Sequence, residues 1–517
     1  MRRMTRLLRW TILGVVLLVF SGWLLADHLM PQATGAPAHA LPVQEAQTAL
    51  DRELAPLVAR HPGQTGVLVV SDGIDAFAAR AIAARQAGRS LDLQYYIWDG
   101  DLTGRLLARE AWNAAERGVR VRMLLDDINA QGKDNALLAL DAHPNIELRL
   151  FNPVRNRTGP LRLLEMLQRS LSLNHRMHNK AWIADGRVAV VGGRNIGDQY
   201  FDNHAQQNFR DMDALLFGPV VAQASAIFDE FWNSAAAIPI ASLHRADDDA
   251  RDALLDLAQA DQASTQAQAY LRRVTTAPSV TRYLTQTLSP HWTADVALHS
   301  DPPLKWERGD HADWIVHRIT AQLRQTRRQA LIVSPYFVPG ESMTRQLAQK
   351  RRQGAYIGIV TNSLASNDVT AVHSGYSRYR PRLLQAGIDL YELRVKAHRP
   401  SAMFGRSNAS LHTKAYVVDS EQGFIGSFNL DPRSANLNTE MGLLFRHRGI
   451  AADVQCEYLR LIDPQLSDWV FVDARGDVRW LDRSVAPARI VAVEPNTTLP
   501  LRLKARLLGV LPMESQL

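Results

Sequence analysis

A single cysteine, Cys456, stands among 517 residues. No intramolecular disulfide can form, and a metal site built on two or more thiolates is excluded. No cysteine follows the N-terminal apolar run, so a lipoprotein anchor is excluded as well. Histidines and acids nowhere cluster at metal-ligand spacing, and neither a metal nor an organic cofactor is expected. A large excess of one charge is also missing: 59 Lys and Arg face 52 Asp and Glu, a net +7. That balance fits nucleic acid, anionic lipid or simple solubility without separating them. Basic runs interleaved with aromatics, which would track a single-stranded nucleic acid, are absent. Arg351-Arg352 and Arg380 with Arg382 have no such aromatic company, and nucleic acid is not the expected partner.

Long hydrophobic runs are scarce too, with one at the N-terminus. Arg2, Arg3, Arg6 and Arg9 precede seventeen uncharged residues, Trp10 to Ala26, closed by Asp27. As a helix this run rises roughly 26 Å, the short end of a membrane span. It reads as a retained signal-anchor or as a signal peptide, with Ala38-His39-Ala40 resembling a distant cleavage box. Either way the arginines stay on the cytoplasmic side and the remainder is exported. The expected location is a bacterial inner membrane, with the catalytic body on the periplasmic side. Residues 27–50, Pro- and Ala-rich between 31 and 42, read as a tether.

What is present is a motif found twice. "RMHNKAWIADGRVAVVGGRNIGD" carries His178, Lys180 and Asp185; "SLHTKAYVVDSEQGFIGSFNLD" carries His412, Lys414 and Asp419. Both read H-x-K-x4-D, and both continue at equal spacing to a glycine pair or Gly-Ser and then to Asn195 or Asn429. Upstream, "SLDLQYYIW" and "ALIVSPYFV" each read as an apolar strand leading into a helix that ends near Gly118 or Gly354. From that glycine to the histidine is 60 residues in one copy and 58 in the other. Strands alternating with helices predict an α/β fold, and the repeat predicts two halves, 51–235 and 291–517. The Ala-, Asp- and Gln-rich stretch 236–290 reads as a helical linker or insertion.

Histidine and lysine two apart share one face of a strand, and a buried ammonium there needs an anion. Asn195, Asn429 and Ser427 add hydrogen-bond donors near the same spot. One such cluster could hold a phosphate. Two, facing each other across a pseudo-twofold axis, could hold a phosphodiester and act on it. Asp185 and Asp419 have the opposite strand parity and lie near turns, which gives them an orienting role.

The duplicated motif resembles the signature of the phospholipase D superfamily over roughly residues 65–450. The stretches "GVLVVSDGIDAFAAR", "SLDLQYYIW" and "RGVRVRMLLDD" resemble the C-type branch of bacterial cardiolipin synthases. The resemblance implies two phospholipase D-like domains, each a mixed sheet flanked by helices, with one active site at the pseudo-twofold interface. It implies a catalytic set of His178, Lys180, Asp185, His412, Lys414 and Asp419, acting without metal. His178 would attack phosphorus to give a phosphohistidine, and His412 would serve as general acid and base. An acid downstream of each motif would orient a histidine, pointing to Asp211 in "FRDMDALLFGP", with Asp213 close by, and to Glu440 in "NTEMGLLF". Gly193 stands where many relatives carry serine, which would cost the first half one hydroxyl donor. The implied reaction is phosphatidyl transfer, with phosphatidylglycerol as substrate and phosphatidylethanolamine a further candidate. An exported phospholipase D, phosphodiesterase or nuclease is the alternative. The Leu- and Arg-rich C-terminus, with Arg502, Lys504 and Arg506, could lie on an anionic membrane surface or dock on the protein.

Overall fold

The computed structural model describes residues 35–170, 172–245, 264–285, 287–307, 312–395 and 408–517, with isolated positions at 10, 11, 13, 14, 17, 21 and 260. The N-terminal apolar run therefore lies mostly outside the described residues. Among them, no helix is long and apolar enough to cross a membrane.

Two mixed sheets form the body, and their central strands repeat one order. In the first, Ser90–Tyr95 runs parallel to Arg120–Asp126, which runs parallel to Ile146–Phe151. On its other side Ser90–Tyr95 is antiparallel to Ala181–Ala184, the strand that follows His178 and Lys180. In the second, Gln329–Val333, Tyr356–Asn362 and Asp389–Leu393 repeat the parallel trio, with Ala415–Val418 antiparallel beside it. Parallel neighbours require crossovers, supplied by helices such as Leu102–Glu116 and Gly340–Arg352. Because helices cover the faces, the central strands are buried along nearly their whole length, even where polar and apolar residues alternate as in Ser90–Tyr95. Leu102–Glu116 starts sharply because the Asp101 carboxylate accepts the Gly104 N–H at 3.1 Å.

The halves divide later than the sequence suggests. Ala237–Pro239 is an edge strand beside Ile146–Phe151, and His291–Thr293 pairs antiparallel with Thr65–Val70. Helices Thr265–Thr275 and Pro278–Leu284 also belong to the first half, where the Tyr270 hydroxyl donates to the Phe201 carbonyl at 3.0 Å. The first half thus reaches Thr293 rather than residue 235, and the second sheet opens at Val296–Ser300. Three-residue edge strands are too short to show a periodic pattern.

The tether is likewise bound. Arg149 donates to the Ala36 carbonyl at 2.6 Å, Arg122 to Ala38 at 2.9 Å and Arg120 to His39 at 2.8 Å. One apolar cluster spans both halves, joining Ile183, Val191 and Leu216 to Val417, Ile425 and Leu443. At roughly 25 cal/mol for each Å² of apolar surface removed from water, a cluster shared in this way holds the halves as one body.

Candidate active site

His178 and Lys180 sit just ahead of the strand Ala181–Ala184, and His412 and Lys414 just ahead of Ala415–Val418. The motif was expected within the strand. Instead its first three residues leave the sheet to pair with the opposite half. The His178 N–H donates to the Thr439 carbonyl at 2.9 Å, and the Thr439 N–H returns to Arg176 at 2.9 Å. Correspondingly, Asn408–Leu411 pairs parallel with Gln207–Arg210, and the N–H groups of His412 and Thr413 donate to the Arg210 carbonyl at 2.7 and 2.9 Å. The residue after each of those partners is an acid, Glu440 in one case and Asp211 in the other.

The consequence is a crossed arrangement. His178 Nδ1 lies 2.8 Å from Glu440 Oε2, and His412 Nδ1 lies 2.5 Å from Asp211 Oδ2. Each histidine is thereby oriented by the acid of the other half, with Nδ1 engaged and Nε2 left as the reactive nitrogen. Both acids are fully buried. Asp213, the near neighbour of Asp211, is turned away and bound by Arg80 at 2.9 Å and Arg194 at 3.2 Å. The lysines are anchored through their own strands: Lys180 Nζ donates to the His178 carbonyl at 2.6 Å and Lys414 Nζ to the His412 carbonyl at 2.5 Å. Tyr96 meets the edge of His178 with ring centres 5.1 Å apart, and Tyr200 meets His412 at 5.2 Å.

The motif aspartates are elsewhere. Asp185 and Asp419 occupy the turns at the far ends of the two strands, with φ of +54° and +53°. Asp185 accepts three consecutive backbone N–H groups, from Gly88, Arg89 and Ser90. Asp419 does the same for Arg327, Arg328 and Gln329. The resemblance grouped them with the catalytic set, whereas the geometry gives them the task of fixing where the neighbouring strand begins.

Ser427 also departs from expectation. Its hydroxyl donates to Glu440 Oε2 at 2.5 Å, so it serves the acid rather than a phosphate. Ser434, which sequence reading missed, donates to Glu440 Oε1 at 2.8 Å. The first half solves the same problem differently. A Cβ on Gly193 would lie 2.4 Å from Asp211 Oδ1, so the shorter acid occupies the space that a serine would need. Gly193 and Asp211 answer Ser427 and Glu440 as a matched pair. Asn195 donates to the Tyr200 hydroxyl at 2.9 Å and accepts the Ile97 N–H at 3.2 Å, keeping one amide hydrogen uncommitted. Asn429 is buried, and its side-chain oxygen has no protein partner. Behind Glu440, buried Lys305 bonds Asp301 at 2.9 Å, and Asp301 accepts the Glu440 N–H at 3.1 Å. An isolated lysine distant from the motif gave no signal of this role.

Burial dominates the electrostatics of the site. Burial and the two lysines hold His178 well below the ordinary histidine range. Burial and Lys414 bring His412 down to about 4 against the pull of Asp211. Burial depresses Lys180 strongly and Lys414 to about 8, despite nearby acids. Burial pushes Glu440 up to about 7, opposed by Lys180 and the serines. Burial would raise Asp211 too, but His412 and Lys414 outweigh it and keep this acid below its usual value. A site of this kind gains proton affinity when an anion enters.

Two homologous sheets that exchange acids to orient paired histidines define a phospholipase D-type enzyme. A family model described as "Cardiolipin synthase, PLD-like domain" matches residues 82–232 and 319–462. The chain belongs to this family. It is 38% identical to cardiolipin synthase C of Escherichia coli K12 over 470 residues, 89% of this chain and 98% of that protein. It is 29% identical to a cardiolipin synthase of Geobacillus kaustophilus over 415 residues, 78% of this chain and 67% of the relative. The crystal structure of phosphatidylserine synthase from Haemophilus influenzae Rd KW20 shares the fold, with TM-score 0.57 and 12% identity over 87% of this chain and 95% of that one.

Proposed function

We propose that this phosphatidyltransferase makes cardiolipin, moving a phosphatidyl group from one phosphatidylglycerol to another through a phosphohistidine. The observation that carries the reading is the crossed histidine–acid pairing, which makes one site from two motifs. His178 Nε2 attacks phosphorus while His412 gives a proton to the departing glycerol oxygen, so a P–N bond forms and a P–O bond breaks. The acceptor hydroxyl then loses its proton to His412 and attacks phosphorus, breaking the P–N bond. Lys180, Lys414, Asn195 and Asn429 hold the non-bridging oxygens as charge builds on them. Asp211, held ionised, pulls a proton toward His412, but burial and Lys414 hold that histidine down to about 4 in the free enzyme, so its acid role waits on the entering phosphodiester anion, which raises its proton affinity. Phosphatidylethanolamine would serve as donor by the same steps, and water as acceptor would give phosphatidic acid. The body would work on the periplasmic face of the inner membrane, tethered by the N-terminal apolar run. Purified enzyme with phosphatidylglycerol in detergent should yield cardiolipin and glycerol, with a phosphatidyl group trapped on histidine after quenching. The adduct should vanish in His178→Ala; its persistence there and loss in His412→Ala would exchange the two roles. Rapid cleavage of single-stranded DNA without lipid product would overturn the assignment.

A further inference from the structure

The helix Gly159–Gln168 is built inside out. Its one acid, Glu165, is fully buried and accepts the Arg155 and Asn156 N–H groups at 2.9 and 2.8 Å. Its large apolar side chains face outward: Leu161 and Met166 are exposed, as are Leu163 at 64% and Leu167 at 69%. A soluble surface helix shows the reverse pattern. The C-terminal helix Leu499–Val510 has a second such face. It lies on the helix Thr370–Gln385, held by Arg378 donating to the Gly509 carbonyl at 2.8 Å and to Leu511 at 2.9 Å. Yet Leu503, Leu507 at 71% and Val510 at 83% point away, with the exposed Lys504 and Arg506 bordering the stripe. Docking on the body and presenting a free apolar face are both true of this helix.

The two helices lead to one place. Just beyond the first, Asn174 bonds Gln516, just beyond the second, at 2.7 Å. Arg433 joins them, donating to the Asn174 side chain at 2.9 Å and its carbonyl at 2.8 Å. The Asn438 N–H donates to the Arg433 carbonyl at 2.9 Å, and the adjoining Thr439 carbonyl accepts the His178 N–H at 2.9 Å, so this junction borders the catalytic histidine.

We propose that the outward faces of Gly159–Gln168 and Leu499–Val510 seat the enzyme on an anionic phospholipid bilayer, beside the mouth of the site. The inference rests on the reading that the substrate is a phospholipid. Apolar stripes flanked by Lys504 and Arg506 match a surface with negative headgroups above acyl chains.

The test uses the full-length protein in a Cys456→Ser background, with single cysteines introduced by Leu163→Cys, Leu507→Cys or Gln353→Cys. Gln353 is exposed beside Tyr356, whose N–H bonds Arg328 at the Asp419 end of the strands, away from the histidines. Each cysteine carries an environment-sensitive fluorophore, and the protein is added to vesicles containing lipids brominated in the acyl chain. Quenching at 163 and 507 severalfold above that at 353, in phosphatidylglycerol vesicles and not in phosphatidylcholine vesicles, is the expected result. Equal quenching at all three positions, or none, would overturn the proposal. Quenching that ignores headgroup charge would overturn it also, as would burial of either label against protein without access for bromine. The measurement needs no turnover and should be unchanged by His178→Ala. Quenching without cardiolipin would therefore fail the proposed reaction alone, and cardiolipin without quenching would fail the docking alone.

Discussion

At the scale of single residues, the site is governed by how two acids are held. Gly193 exists because Asp211 fills the space over it. Gly193→Ala must displace that carboxylate from His412, and a shift of about 1 Å at a catalytic group costs on the order of 100-fold in rate. The double change Gly193→Ser with Asp211→Glu copies the arrangement of Ser427 and Glu440 and should recover much of the loss. Failure of the pair to do better than the single glycine variant, measured as kcat/KM, would mean that the two positions are not matched. Lys414 supplies a pH signature. Its ammonium is held down to about 8 by burial, so the free enzyme loses this charge as pH rises through that value. Affinity for a phosphonate analogue that cannot be cleaved should fall as pH rises through about 8. Affinity that stays flat across that range would remove Lys414 from phosphate binding.

At the scale of elements, the turns of Asp185 and Asp419 look equivalent but differ in surroundings. The Ser90 N–H that Asp185 receives is buried, whereas the Arg328 N–H that Asp419 receives lies at the surface. Leaving a buried donor unpaired costs about 1–3 kcal/mol, while water can replace the partner of an exposed one. Asp185→Ala should therefore lower stability more than Asp419→Ala in denaturant melts, and neither should mimic a histidine deletion in chemistry. Equal destabilisation would contradict the burial argument. These turns also mark what a sequence can convey. The repeat of His, Lys, Asp and Asn revealed two like halves and one site, because spacing along a strand survives in the text of the chain. Which histidine each acid serves did not emerge. Asp211 follows His178 in the same half yet bonds His412, since the pairing depends on how Gln207–Arg210 meets Asn408–Leu411. Ser434 and Lys305 escaped notice for the same reason: they act on Glu440 through space, not through a repeated pattern.

At the scale of the whole molecule, two motifs make one catalytic unit. His178→Ala and His412→Ala should each abolish lipid transfer, and the double variant should be no slower than either. Partial, additive losses would indicate two independent centres. The apolar cluster shared across the halves makes a further demand on the chain. Residues 35–293 and 296–517 expressed separately should expose that cluster and aggregate, and neither should carry residual activity. The crossed acids also have a meaning in inheritance. A gene made by duplication is commonly free to let its copies drift apart, one kept under selection while the other explores. Here each copy holds the group that orients the other's histidine, so an error in one is felt at once in the chemistry of both. The two copies differ at this point as matched pairs, Gly193 with Asp211 and Ser427 with Glu440, so a change in one member calls for a change in the other. A chimaera joining the first half of this protein to the second half of a distant relative would set one ancestor's acid against another ancestor's histidine, and its fertility as an enzyme would measure how far the two lineages have kept a common fit.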